Sequence, residues 1–172
     1  MRLYIGIPAI ELKNPYLQFK KNNLDIPIDW FHPDDLHITL IPPFSTENKR
    51  GEIRKLGIFA NKFKSINIAL PEVESKKSFV WAFGPPNNGL QEIKDELEKH
   101  FKSEKTLMYK ERTEEFIPHV TLARYKNMKE PIKKRSVGWN FKAEKIALYE
   151  SVPLTTRRDK GYRILSEIKL ND

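Results

Sequence analysis

The segment "DDLHITLIPPF" runs from Asp34 to Phe44, and "EEFIPHVTLARY" runs from Glu114 to Tyr125. Both contain histidine, an apolar residue, threonine and leucine in that order: His37-Ile38-Thr39-Leu40 and His119-Val120-Thr121-Leu122. The chain has four histidines, so half of them sit in the same tetrapeptide. With threonine at about one position in twenty and the 39% hydrophobic content of this chain, a given histidine opens the pattern roughly once in a hundred times. Two of four do so with odds on the order of a few in ten thousand. A strand turns successive side chains to opposite faces. Leu36, Ile38 and Leu40 then share one face, and His37 and Thr39 the other. Val120 and Leu122 are divided from His119 and Thr121 in the same way. Each segment therefore reads as a strand with an anchoring apolar side and a polar side that suits the wall of a cleft.

Working outward, each histidine strand is preceded by a strand and a helix. "RLYIGIPA" (Arg2–Ala9) is a short apolar strand that meets proline, and Asn14-Pro15 predicts a helix from Pro15 to Asn22 with asparagine as its cap. In the second half, "SFVWAFGP" (Ser78–Pro85) is the strand. Asn87-Asn88 predicts the cap of a helix whose Leu90, Ile93, Leu97 and Phe101 share a face. Strand, helix and histidine strand thus occur twice, as in an internal duplication. Ile53, Leu56, Ala60 and Phe63 predict a further amphipathic helix, and Ile66–Leu70, Lys145–Glu150 and Tyr162–Leu170 predict strands. Tyr125–Arg135 and Thr155–Gly161 read as basic loops. Helices and strands mix without a parallel rhythm, which gives an α+β class in one domain over residues 1–172.

A chain of 172 residues can bury a sizeable core unaided, and the absence of cysteine excludes disulfides, thiol catalysis and cysteine-ligated zinc. The opening apolar run is interrupted by Pro8, Glu11 and Lys13, so it reads as a strand and not as a signal peptide. No stretch approaches the roughly 18 apolar residues of a membrane span. The expectation is a soluble, cytoplasmic protein. Thirty-one basic against 23 acidic residues leave a net charge of +8, which favours polyanionic partners, nucleic acid before anionic membrane. A generally lysine-rich surface is the plainer alternative.

Two imidazoles beside two hydroxyls suit one kind of chemistry well. Histidine titrates near neutrality, so a neutral and a protonated ring can take a proton from a nucleophile and give one to a leaving group. That suits in-line displacement at phosphorus, with Thr39 and Thr121 donating to the non-bridging oxygens. A zinc site is the competitor, but threonine is a poor ligand and neither polar face carries a carboxylate. Asp34 and Asp35 read as the turn before the strand. His32, before a proline, and His100, near a helix end, are set aside as structural.

These paired motifs resemble the two-histidine phosphoesterase superfamily, and within it the RNA 2′,3′-cyclic phosphodiesterases, also called 2′-5′ RNA ligases. The likeness extends to "RLYIGIP", to Trp30 ahead of "DDLHITL", to "IPHVTLAR" and to the closing "GYRILSEIKL". It implies two pseudo-symmetric lobes of antiparallel sheet and helices around a central cleft. It also implies opening of a 2′,3′-cyclic phosphate to a 2′-phosphate without metal or cofactor, with His37 as proton donor, His119 as proton acceptor and Thr39 and Thr121 holding the phosphate. Arg124 matches an arginine that follows the second motif in many members, and a guanidinium suits an anionic transition state. After the first motif this chain reads "IPPFS", where well-known bacterial members continue with a basic residue and a glycine turn. The partner implied is RNA or a nucleotide with a cyclic phosphate, the protein being a monomer away from membranes. Cleavage or joining of 2′-5′ linkages uses the same residues, and a non-catalytic RNA-binding module is the alternative of another class. Phe44, Phe79, Trp81 and Tyr125 are candidates for stacking on a base, with the core as the competing place for most of them.

Overall fold

The apolar faces of the two histidine segments decide where the sheet sits. In the computed structural model, which describes residues 1–101, 115–125, 131–152 and 161–172, both segments form strands. In chain order the elements are β1 (Arg2–Pro8), α1 (Lys13–Lys21), β2 (Ile28–Trp30), β3 (His37–Ser45), α2 (Lys49–Gly57) and β4 (Ile66–Lys76). They continue with β5 (Phe79–Phe83), α3 (Asn88–His100), β6 (His119–Tyr125), β7 (Arg135–Ala143), β8 (Lys145–Ser151) and β9 (Tyr162–Lys169). Among the described residues the strands form one nine-stranded sheet in the order β7-β4-β5-β6-β3-β1-β8-β9, with β2 beside β6.

That order is a mirror. The histidine strands β6 and β3 meet in the middle, and the strands that open each half, β5 and β1, flank them. Every registered pairing between neighbours is antiparallel. The duplication read from the sequence and the two pseudo-symmetric lobes of an α+β fold are therefore present, joined at the centre by the pair Ile38–Val120.

Ile38, Leu40, Val80, Ala82, Val120 and Leu122 are buried on one face of the sheet, in a single cluster with Tyr16 of α1, Leu56 of α2 and Leu90, Ile93 and Leu97 of α3. Each buried Val, Leu or Ile among them contributes about 1.5–3 kcal/mol. Asn87 caps α3 as expected, its Oδ1 accepting from the Leu90 N–H at 3.1 Å.

Two expectations need correction. Asn14 does not cap α1: the helix begins at Lys13, after a 3-10 turn over Ile10–Leu12, with no side-chain cap. The buried Leu12 fixes that start, and Pro15 sits in the first turn, where a missing N–H loses no bond. The second helix stops at Gly57, so Ala60 is exposed and lies outside it, while Phe59 and Phe63 enter the core from turns. Strands β7 and β2 have no counterpart in the sequence reading: "IDW" is too short to show a period, whereas in β7 Val137, Trp139, Phe141 and Ala143 do alternate with polar residues or glycine and turn inward. Of the expected basic loops, residues 131–134 lack regular structure as read, and residues 126–130 and 155–160 lie outside the described residues. No described helix is long and apolar enough to cross a membrane.

Candidate active site

Ile38 pairs with Val120 in antiparallel register. Counting one residue each way sets His37 across from Thr121 and Thr39 across from His119, all four on the face opposite the core. Cross-strand neighbours lie about 5 Å apart and residues two along a strand about 7 Å. The four groups therefore bracket a patch that one phosphate can span, with the imidazoles on one diagonal and the hydroxyls on the other. All four residues are half-buried.

Both imidazoles are held by the same local device. His37 Nδ1 lies 2.6 Å from the Asp35 carbonyl oxygen, and His119 Nδ1 lies 2.9 Å from that of Ile117. A carbonyl oxygen only accepts, so each Nδ1 carries its proton and donates. In the neutral ring Nε2 is then left bare, able to take a proton, and in the charged ring Nε2–H can give one. Each half thus fixes the tautomer of its own histidine through the residue two positions earlier. Nothing in the sequence pattern signalled this.

Their surroundings differ. The His37 ring centre lies 4.8 Å from that of Tyr4, 5.4 Å from Tyr149 and 5.2 Å from Tyr162. Loss of hydration among these rings, with a smaller contribution from the His119 charge, lowers the His37 pKa to about 4 against the pull of the Asp35 carbonyl. Burial raises the pKa of all three tyrosines, so their hydroxyls stay neutral. His119 stacks on Trp81 at 4.2 Å. Its pKa is also lowered, first by desolvation and then by the nearby Lys76 charge. Sequence reasoning missed the three tyrosines. Their signal, an aromatic facing the polar side of a neighbouring strand, needs the strand order to be read.

Arg124 reaches the same face by an irregularity. Strict alternation from His119 would turn it to the core side. On β5, Phe83, Trp81 and Phe79 pair with His119, Thr121 and Arg124, and the register shifts between Trp81 and Val80. The extra residue is a bulge, which reverses face parity beyond it. Leu122 and Ala123 are consecutively buried and Arg124 is exposed. Arg124 lies 5.9 Å from the Phe79 ring and walls a hollow of about 380 Å³ with Trp30, Ser151 and Tyr162. A second hollow, of about 280 Å³, is lined by Arg2, Tyr4, His37, Thr39 and Pro43 and shares Ser151 and Tyr162 with the first.

Of the residues set aside, His32 and Asp35 also line the larger hollow. His32 Nδ1 accepts from the Asp34 N–H at 3.2 Å, and His100 packs edge-on to Phe59 at the end of α3. Asp34 pairs with Lys13, and Asp35 is buried with Oδ2 accepting from the Gly161 N–H at 2.7 Å. Phe44 and Tyr125 belong to the core, whereas Phe79 and Trp81 stand half-exposed on the site's face. Among the described residues no group of three His, Cys, Asp or Glu side chains could hold a metal ion. The prolines of "IPPFS" fit where the β1–β3 ladder shifts register between Leu3–Phe44 and Ile5–Ile41, so neither has to supply an N–H to it.

A family model described as the 2′-5′ RNA ligase superfamily matches residues 27–152, which include both histidine motifs and Arg124. No curated protein matches the chain in sequence. Among solved structures, the chain is similar to TT0787 of Thermus thermophilus, with a TM-score of 0.75, 18% identity and coverage of 98% of this chain and 97% of that one. It is also similar to E. coli LigT complexed with 3′-AMP, with a TM-score of 0.71 and 19% identity, and to LigT complexed with ATP, with a TM-score of 0.73 and 19% identity. Each LigT comparison covers 99% of this chain and 98% of the other. At such identities the likeness is one of fold.

Proposed function

Since this chain belongs to the 2′-5′ RNA ligase superfamily, we propose that it opens 2′,3′-cyclic phosphate ends of RNA or nucleotides to 2′-phosphates by acid–base catalysis between His37 and His119. The observation that carries this reading is the matched pair of carbonyl-held imidazoles on one diagonal, each with Nε2 as its working nitrogen. His119 takes a proton from water as the water oxygen bonds to phosphorus. The bond from phosphorus to the 3′ oxygen breaks, and His37 gives its proton to that oxygen. The sum is one water added across one ester bond, and proton exchange with solvent resets the rings. Thr39, Thr121 and Arg124 stabilise the charge that grows on the non-bridging oxygens. Run in reverse, with a 5′-hydroxyl in place of water, the same residues would join ends through a 2′-5′ linkage. That two LigT structures hold 3′-AMP and ATP supports a nucleotide-shaped ligand for this site as well.

The test is turnover of a nucleoside 2′,3′-cyclic phosphate in the presence of EDTA. His37→Ala and His119→Ala are each expected to lower kcat by about 10²–10⁴-fold. Wild-type turnover abolished by EDTA, or either variant retaining full activity, would overturn the reading.

The pH dependence follows from the two rings. His37 must be charged and His119 neutral, both pKa values in the free protein lie below the ordinary 6.5, and with that of His37 at about 4 the charged donor is the minor form above that pH. Above the higher value neither ring carries the proton to donate, and below the lower one neither can accept. The kcat/KM profile is therefore a bell centred on the acid side of pH 6.5, its limbs belonging to the pair. A rate that keeps rising through pH 8 would contradict it.

A further inference from the structure

The register of β4, β5 and β6 lays out a grid on the open face. Glu72, Phe83 and His119 form its first row, Glu74, Trp81 and Thr121 its second, and Lys76, Phe79 and Arg124 its third. The middle column is wholly aromatic. Phe79, Trp81 and Phe83 are half-exposed, and none of them belongs to either hydrophobic cluster or packs against one. Each has a cation near its ring: Arg124 at 5.9 Å from Phe79, Lys76 at 5.7 Å from Trp81 and Lys134 at 5.7 Å from Phe83. Folding alone does not require three outward aromatics in succession on one strand. Outward positions of β7, such as Ser136, Asn140 and Lys142, are polar.

We propose that this aromatic column is a stacking platform for the single-stranded RNA that leads to the reacting phosphate, which makes an oligonucleotide end the preferred substrate over a mononucleotide. The inference rests on the function proposed above and names its substrate class. Three features of the grid carry it. Outward residues on a strand recur about every 7 Å, a spacing that one nucleotide of an extended single strand can match. The polar groups differ across the column: His119, Thr121 and Arg124 line the side of the reacting phosphate, while Glu72, Glu74 and Lys76 line the far side. The far-side carboxylates can accept from base N–H groups. Lys134 pairs with Glu72 at 2.8 Å, and Lys76 closes the Phe79 end with a second cation. Aromatic stacking with flanking cations is how proteins hold single strands without reading their sequence.

The experiment compares equilibrium binding of a four-nucleotide RNA ending in a 3′-phosphate with that of a nucleoside 3′-phosphate. Wild type is expected to bind the oligonucleotide at least about tenfold more tightly, and loss of one stack in Phe79→Ala is expected to weaken it roughly 5- to 150-fold. Phe79→Ala should leave the mononucleotide affinity and the thermal unfolding midpoint near wild type, and Phe79→Tyr should restore oligonucleotide binding. Equal affinity for the two ligands, or a Phe79→Ala effect of the same size on both, overturns the platform. Turnover of a nucleoside cyclic phosphate by wild type is scored separately. If that occurs without any oligonucleotide advantage, the platform fails and the proposed activity stands. Tight oligonucleotide binding lost in Phe79→Ala, with no turnover of either cyclic end, fails the activity alone.

Discussion

At Gly6, beside the first histidine, a single methyl group would reshape the site. Gly6 pairs with Thr39, and a Cβ there would lie 2.5 Å from the Ile38 carbonyl oxygen and 3.4 Å from His37 Cδ2. The first contact is with backbone, so it cannot be relieved by a rotamer change. Gly6→Ala is expected to push β3 away from β1 and to destabilise the fold by about 1–3 kcal/mol. It should also lower turnover beyond what lost stability explains, measured as kcat on the fraction still folded. His37 adds a second prediction at this scale. Its folded pKa of about 4 lies below the ordinary 6.5, so between these values the unfolded chain binds more protons. The stability this contributes is complete above about pH 6.5 and is lost as pH falls toward 4, by at most roughly 3 kcal/mol. Denaturant unfolding should show a steeper acid loss for wild type than for His37→Gln, and parallel curves would contradict the neutral, enclosed ring.

The elements show what periodicity can and cannot reveal. The alternation in "LHITL" and "HVTL" is enough to put the four polar groups on their face, because a strand has only two sides. The same rule applied to Arg124 gives the wrong face, and the resemblance that suggested it supplies no reason. The reason is the Leu122–Ala123 bulge, a product of pairing with β5 that no single-strand pattern contains. Helix α3 was legible from both its apolar face and its asparagine cap. The start of α1 was not, since the buried Leu12, set by packing, overrode the local signal of Asn14 and Pro15. Asn87→Ala should cost about 1 kcal/mol through the lost cap, read as a lowered unfolding midpoint. Asn14→Ala, with no capping bond to lose, should change it little.

In the whole molecule the two halves meet where β2 and β3 run beside β6, and a single buried cluster runs beneath both. That cluster joins Leu3, Ile38 and Ile146 of one half to Leu70, Val80 and Val120 of the other. Unfolding followed by tryptophan fluorescence and by far-ultraviolet dichroism is therefore expected to give coincident transitions, because neither half keeps its core without the other. The mirror order also explains why the site lies at the seam: duplication places equivalent strands side by side, so one polar pair from each half completes the set of four. The positive charge of the chain is legible from composition, but which strand face each charge occupies is a property of the sheet. The most direct test of the central claim is the identity of the product made by the metal-depleted protein from a 2′,3′-cyclic phosphate. The account predicts a 2′-phosphate, by phosphorus resonance or chromatography against both isomers. Exclusive formation of the 3′-phosphate, or no product at all, would contradict it.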